Sequence, residues 1–208
     1  MRRQEIHPDD PGLPMMKTVC VFCGANAGAN PAYAEAARAF GTLLATSGRR
    51  LVTGGGRVGL MGIVADAVLA AGGEAVGVIP TSLLEKEVQH KGLTALHVVG
   101  SMHERKAMMA ELSDGFVALP GGIGTLEEFF EVWTWAQIGL HGKPYGLLDV
   151  AGFYTPLVRF LQSTVEQKFL RAEHLDMVYV EAEGAPLLAR MDGHQPTVVS
   201  KWIDTKVL

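Results

Sequence analysis

Two segments of this sequence carry residues able to stabilise charge or move a proton beside a bound anion. In SMHERKAMMAELSD, Arg105 and Lys106 stand early in an expected helix. Cations there oppose the helix macrodipole, so such a residue is either solvated or reaching for an anion. The planar fork of arginine suits phosphate, because it can donate two hydrogen bonds at once. In GTLEEFFE, the carboxylates Glu127, Glu128 and Glu131 lie on one expected helix. A carboxylate beside a bound sugar can stabilise an oxocarbenium-like transition state or activate water. Purely structural accounts compete with this. Thr125 and Glu128 have the T-x-x-E spacing of a capping box. Glu127 and Glu131 are four apart and like-charged, which fits a solvated face. Phe129, Val132, Trp133 and Ala136 recur at helical spacing and read as core or as a subunit interface. Thr134, angularly displaced from Glu128, is placed to reach a ligand or a partner subunit.

Glycine clusters supply the anion site. Thr53 is followed by Gly54, Gly55 and Gly56, then by VGLMG. Leu119 is followed by Pro120, Gly121, Gly122, Ile123, Gly124 and Thr125. A third strand ends in Cys23-Gly24-Ala25-Asn26. Glycines let backbone N–H groups face a shared concavity, and a following helix N-terminus adds partial positive charge. Tight turns also collect glycine, but two such loops, each between a strand and a helix, point to an anion. Neither loop continues as a Walker A motif, and the first strand ends in CGAN rather than G-x-G-x-x-G, which argues against NAD.

The elements that must position these loops alternate. Apolar, β-branched runs predict strands over 18–23, 50–53, 75–79, 96–99, 115–119, 145–149 and 177–180. Helical patterns occupy 31–46, 59–71, 102–112, 126–138, 154–168 and 185–191, and the polar stretch 80–92 is expected to be partly helical. Strands alternating with helices predict an α/β chain, a single-domain Rossmann-like doubly wound parallel sheet with helices on both faces. In such sheets ligands bind beyond the carboxyl ends of the strands. An N-terminal arm over 1–17, a domain over 18–191 and a C-terminal tail over 192–208 are expected.

Composition narrows the function. A length of 208 residues suits one domain. The formal net charge of −4, without a Lys/Arg block, argues against a nucleic-acid partner. No stretch approaches the ~20 apolar residues of a membrane span. The start of the chain lacks the apolar core of a secretory signal, so a cytoplasmic setting is expected. Cys20 and Cys23 lie inside the apolar run VCVFC and are expected to be buried free thiols rather than a redox pair. The seven histidines are scattered, so no metal site is expected.

TGGGRVGLMG, SMHERKAMMAELSDGFVALPGGIGTLEEFFEVWTWAQIGLHGKP and the following GLLDV together resemble the Lonely Guy (LOG) family of cytokinin-activating phosphoribohydrolases. The hallmark P-G-G-x-G-T-x-x-E is complete from Pro120 to Glu128, and the resemblance spans roughly 18–191. It implies a Rossmann-like fold, a homodimer and no cofactor. It implies hydrolysis of the N-glycosidic bond of N6-modified adenosine 5′-monophosphates, and of AMP in many bacterial members, to free base and ribose 5-phosphate. Carried over, Arg105 and Glu128 are the catalytic pair. Glu87, Lys106, the Gly122–Thr125 loop and Thr134 match substrate-binding positions. Two alternatives stay open: a general nucleoside 5′-monophosphate nucleosidase, and a non-catalytic nucleotide- or cofactor-binding protein on the same fold.

Overall fold

The strand β1 (Thr18–Phe22) sets the architecture. Side chains alternate across a strand. Val19 and Val21 enter one apolar layer, and Cys20 and Phe22 enter the other. A strand buried on both faces belongs at the centre of a covered parallel sheet. In the computed structural model, which describes residues 15–84 and 89–196, β1 is that central strand. It pairs in parallel with β2 (Arg50–Thr53) on one side and β5 (Gly115–Ala118) on the other. The remaining strands are β3 (Ala75–Pro80), β4 (Ala95–Val99), β6 (Tyr145–Leu148) and β7 (Val178–Glu181). The order is β4-β3-β2-β1-β5-β6-β7, all parallel. The doubly wound sheet expected from the alternation is thus present.

The chain first winds outward through β2, β3 and β4, then returns to lay β5 beside β1. Right-handed crossovers therefore put the helices on opposite faces in the two halves. α1 (Pro31–Thr46), α2 (Gly59–Ala70) and α8 (Gly184–Asp192) cover one face through Phe40, Leu44, Leu60, Val64, Leu187 and Leu188. α4 (Met102–Glu111), α5 (Ile123–Gln137) and α6 (Thr155–Glu166) cover the other through Met109, Phe129, Val132, Trp133 and Leu161. Each such large side chain, fully buried, contributes about 1.5–3 kcal/mol. Short helices α3 (Thr81–Leu84) and α7 (Ala172–Leu175) complete the set, the second unforeseen in the sequence.

Two details bear on the site. Phe22 stands opposite Ala118 in the register, so the loops after β1 and β5 leave the sheet side by side. The Gly24 N–H donates to the Pro120 carbonyl at 3.1 Å and joins them. At the opposite end of the sheet, Arg49 grips Asp192 at the end of α8 through bonds of 2.9 and 2.7 Å. The Met16 N–H also donates to Asp192, and Met16 itself is buried in the core. Residues 1–14 of the expected arm (1–17) and 197–208 of the expected tail (192–208) lie outside the described residues, as does Glu87.

Candidate active site

The point where the winding reverses, between β1 and β5, opens into a cavity of about 540 Å³. That volume is within the ~300–1,000 Å³ of small-molecule sites. One wall is the loop from Cys23 to Gly28 with Tyr33 and Phe153, whose rings meet edge to face at 5.5 Å. Leu60, Met61, Leu83, Met102 and Arg105 also line it. The loop after β5 and the first turns of α5 close it, presenting Gly121, Gly122, Gly124, Thr125, Glu127 and Glu128. Arg105 and Glu128, carried by the successive helices α4 and α5, line the same space.

α5 begins at Ile123, three residues before the expected start at 126. The first turn of a helix needs no internal N–H partner, so Gly124 is tolerated there where sequence reading takes it for a loop. Gly122 is the N-cap and offers no side chain. The capping box therefore does not exist: Thr125 sits inside the first turn and is buried, and Glu128 turns to the cavity. The N–H groups of Ile123, Gly124 and Thr125 have no carbonyl four residues back within the helix. A Cβ on Gly122 or Gly124 would meet nothing within 4 Å, so the backbone there is open to close approach by an anion.

The other glycine loop does something different from what its composition suggests. Gly54, Gly55 and Gly56 are buried and do not line the cavity. The N-terminus of α2 is not open either. Gly59, at φ +60°, lies so close to the loop after β1 that a Cβ would stand 2.2 Å from the Ala25 carbonyl carbon. The close approach lets the Leu60 and Met61 N–H groups donate to the Gly24 carbonyl, at 2.9 and 3.4 Å. What the TGGG turn provides is a seat for Arg105. The guanidinium Nη2 donates to the Gly54 carbonyl at 3.1 Å, and Nε donates to the Val78 carbonyl at 3.1 Å. Arg105 is 4% exposed. The helix that carries it starts with a cap not noticed in the sequence. Ser101 accepts from the Glu104 N–H at 3.1 Å, while Glu104 accepts from the Gly100 N–H at 2.9 Å. The Glu104 carboxylate in the first turn offsets the dipole that Arg105 opposes.

Lys106 and Thr134 do not line the cavity. The Lys106 ammonium lies 2.5 Å from Glu127 Oε1 and 2.9 Å from Glu131 Oε2, so these carboxylates are not the solvated face that their spacing suggests. Burial pulls the Lys106 pKa down, but the two carboxylates outweigh it and hold it above the ordinary lysine value. Thr134 is exposed and donates to the Phe130 carbonyl at 2.7 Å. Tyr33, Leu83, Met102 and Phe153 were not singled out by sequence, because apolar residues in loops and first turns carry no spacing signal. Cys20 and Cys23 are buried free thiols. Both are pushed well above the ordinary cysteine range, by burial first and then by the Glu128 carboxylate, so they stay protonated and unreactive. Among the described residues no His, Cys, Asp and Glu cluster is able to hold a metal ion, and no helix is long and apolar enough to cross a membrane.

Comparison with known proteins agrees with this arrangement. Residues 61–191 match the family model described as "Possible lysine decarboxylase". The cytokinin riboside 5′-monophosphate phosphoribohydrolase of Rhodococcoides fascians is 50% identical over 175 residues, covering 83% of this chain and 88% of that protein. The Arabidopsis thaliana enzyme of the same name, LOG1, is 42% identical over 180 residues, covering 86% of this chain and 84% of its own. Among solved structures, the molybdenum cofactor carrier protein of Chlamydomonas reinhardtii superposes with a TM-score of 0.65 at 24% identity, over 85% of this chain and 96% of that one. That likeness is one of fold alone. With half its residues shared with a phosphoribohydrolase over more than four-fifths of its length, and with the PGGIGT loop and Glu128 lining its cavity, the chain belongs to the Lonely Guy (LOG) family.

Proposed function

We propose that this protein hydrolyses the N-glycosidic bond of N6-modified adenosine 5′-monophosphates, and of AMP, to free base and ribose 5-phosphate. The observation that carries the reading is the convergence of Arg105, Glu128 and the open N-terminus of α5 on one cavity at the β1–β5 switch point. The 5′-phosphate binds the N–H groups of the Gly122–Thr125 turn, where the helix dipole favours negative charge. Arg105, rigid in its seat of two carbonyls, faces phosphate and ribose. Glu128, one turn and a half further along α5, lies beneath the anomeric carbon. As the bond from C1′ to N9 lengthens, its electron pair leaves with the base and positive charge grows on the ribose ring. The carboxylate stabilises that charge and orients water, whose oxygen bonds to C1′ while its proton goes to the departing base. Binding of the remote phosphate holds the sugar in place for this step.

The description of the family model invites a decarboxylase reading, in which a lysine would form a Schiff base with a carbonyl cofactor. Such a lysine needs a lowered pKa. Lys106 is held as an ammonium by two carboxylates, and Lys143 donates to the Ala110 carbonyl at 2.7 Å. Neither supports that chemistry.

The protein is proposed to act as a homodimer. Ile138 and Leu140 beyond α5 and Phe160 on α6 are large exposed apolar residues, and α5 and α6 cover the same side of the sheet. The deciding experiment incubates purified protein with AMP and isopentenyl-AMP side by side and separates the products. Free base and ribose 5-phosphate are expected, with the isopentenyl substrate preferred. Equal use of both would establish a general nucleosidase, and release of base from neither would overturn the enzymatic reading. Glu128→Gln should keep ligand affinity and lose most turnover, and near-normal turnover would remove Glu128 from the mechanism.

A further inference from the structure

α4 packs against β3 and β4, whereas α5 packs against β1 and β5. β2 lies between these two supports. Strands are spaced at about 4.8 Å, so helices centred over β3–β4 and β1–β5 stand about 14 Å apart, beyond the ~8–10 Å of helices in direct packing. The gap over β2 is where the Arg105 guanidinium lies, on the carbonyl of Gly54. Arg105 comes from one helix and Glu128 from the other, so their separation depends on what spans the gap.

Lys106 spans it. Its ammonium, from a side chain 9% exposed, meets Glu127 and Glu131 of α5 at 2.5 and 2.9 Å. Its neighbour in sequence is Arg105, and the neighbour of Glu127 is Glu128. Lys106 does not line the cavity, and neither does Glu131. We propose that Lys106 is a positioning residue: with Glu127 and Glu131 it ties α4 to α5 and fixes Arg105 and Glu128 relative to each other. This rests on the phosphoribohydrolase reading for the meaning of that pair. Both pairs are short; Glu127 is half exposed, but Lys106 and Glu131 are 9% and 23% exposed, so solvent screens the Glu131 pair less than an ordinary surface pair.

The test uses Lys106→Met, Lys106→Arg, Glu131→Gln and the Lys106→Met/Glu131→Gln double variant in the full chain. Misplacement of catalytic groups by about an ångström costs up to a hundredfold, so kcat in Lys106→Met should fall about tenfold to a hundredfold. The Kd for ribose 5-phosphate should stay within about threefold, and Lys106→Arg should restore most of kcat by keeping the charge. Glu131→Gln should lower kcat severalfold on its own and have no further effect beside Lys106→Met, because both act through one tie. A tenfold weaker ribose 5-phosphate complex with unchanged kcat in Lys106→Met would overturn the inference and make Lys106 a direct ligand. Wild-type kcat in Glu131→Gln would overturn it as well, and that half-shielded position serves if Lys106→Met does not fold. Hydrogen exchange along α4 and the first turns of α5 reads the tie without reference to activity. Faster exchange is expected in Lys106→Met and in Glu131→Gln, and unchanged exchange refutes the tie. A wild-type protein inactive on every nucleotide would instead refute the function, leaving the exchange result to decide the tie.

Discussion

Gly54→Ala separates the stability of this fold from the function of its site. A Cβ built on Gly54 would stand 1.9 Å from Nη2 of Arg105 and 3.1 Å from its Cζ. Ordinary contact needs about 3.5 Å, so the guanidinium must withdraw by about 1.6 Å. Gly54 does not require a left-handed backbone, so the strain falls on the tip of a long side chain and not on the main chain. The withdrawal breaks the 3.1 Å bond to Gly54 and disturbs the one to Val78. Bonds from a charged donor contribute about 1.5–3 kcal/mol each, but a guanidinium displaced into the cavity regains water, so a net loss of about 1–2 kcal/mol is expected. For a chain of this size that lowers Tm by about 2–8 °C. The site suffers more. A misplacement of that size costs about a hundredfold in turnover, equivalent to ~2.7 kcal/mol in the barrier. Base release from isopentenyl-AMP at saturating substrate measures the loss of turnover, and thermal unfolding measures the loss of stability. A folded Gly54→Ala variant turning over within about threefold of wild type would refute the assignment of the TGGG turn as the seat of Arg105.

Asp192→Asn should destabilise the fold by about 2 kcal/mol at neutral pH, since it breaks a largely buried bidentate pair and one of its partners is Arg49, 6% exposed. Burial raises the Asp192 pKa, but the bonds from Arg49 and the Met16 N–H outweigh it and leave it below its ordinary value of 3.8. A depressed carboxylate contributes stability that is complete above its unfolded pKa and is lost as pH falls through the folded one. The Tm difference between wild type and variant should therefore be constant above about pH 5 and shrink below pH 4, and a difference that persists unchanged at pH 2 would show that the pair does not carry it. Gly48→Ala should cost about 1 kcal/mol of stability with kcat unchanged, because Gly48 sits at φ +73° with nothing within 4 Å of its Cβ position. A loss of turnover there would mean that the turn communicates with the site.

The alternation of apolar runs and helical patterns determined by itself the parallel sheet and the end of it at which the cavity opens. Those are local and periodic properties, readable because side-chain direction follows the repeat of each element. The PGGIGT loop was legible as an open turn into a helix for the same reason, since glycine between a strand and a helix has a local consequence. The local signals failed where partners came from far away in the chain. Only the tertiary structure decided that the TGGG turn receives an arginine 51 residues later instead of a phosphate. Only it decided that Lys106 answers to Glu127 and Glu131 across a gap in the helix layer. The α2 N-terminus looks as open in sequence as that of α5. It is closed by the Gly24 carbonyl, which the winding of the sheet places against it. A hydrogen-bonding group declares its chemistry in the sequence, but whether it is spent on the protein or left for a ligand depends on what folding brings within 3 Å of it.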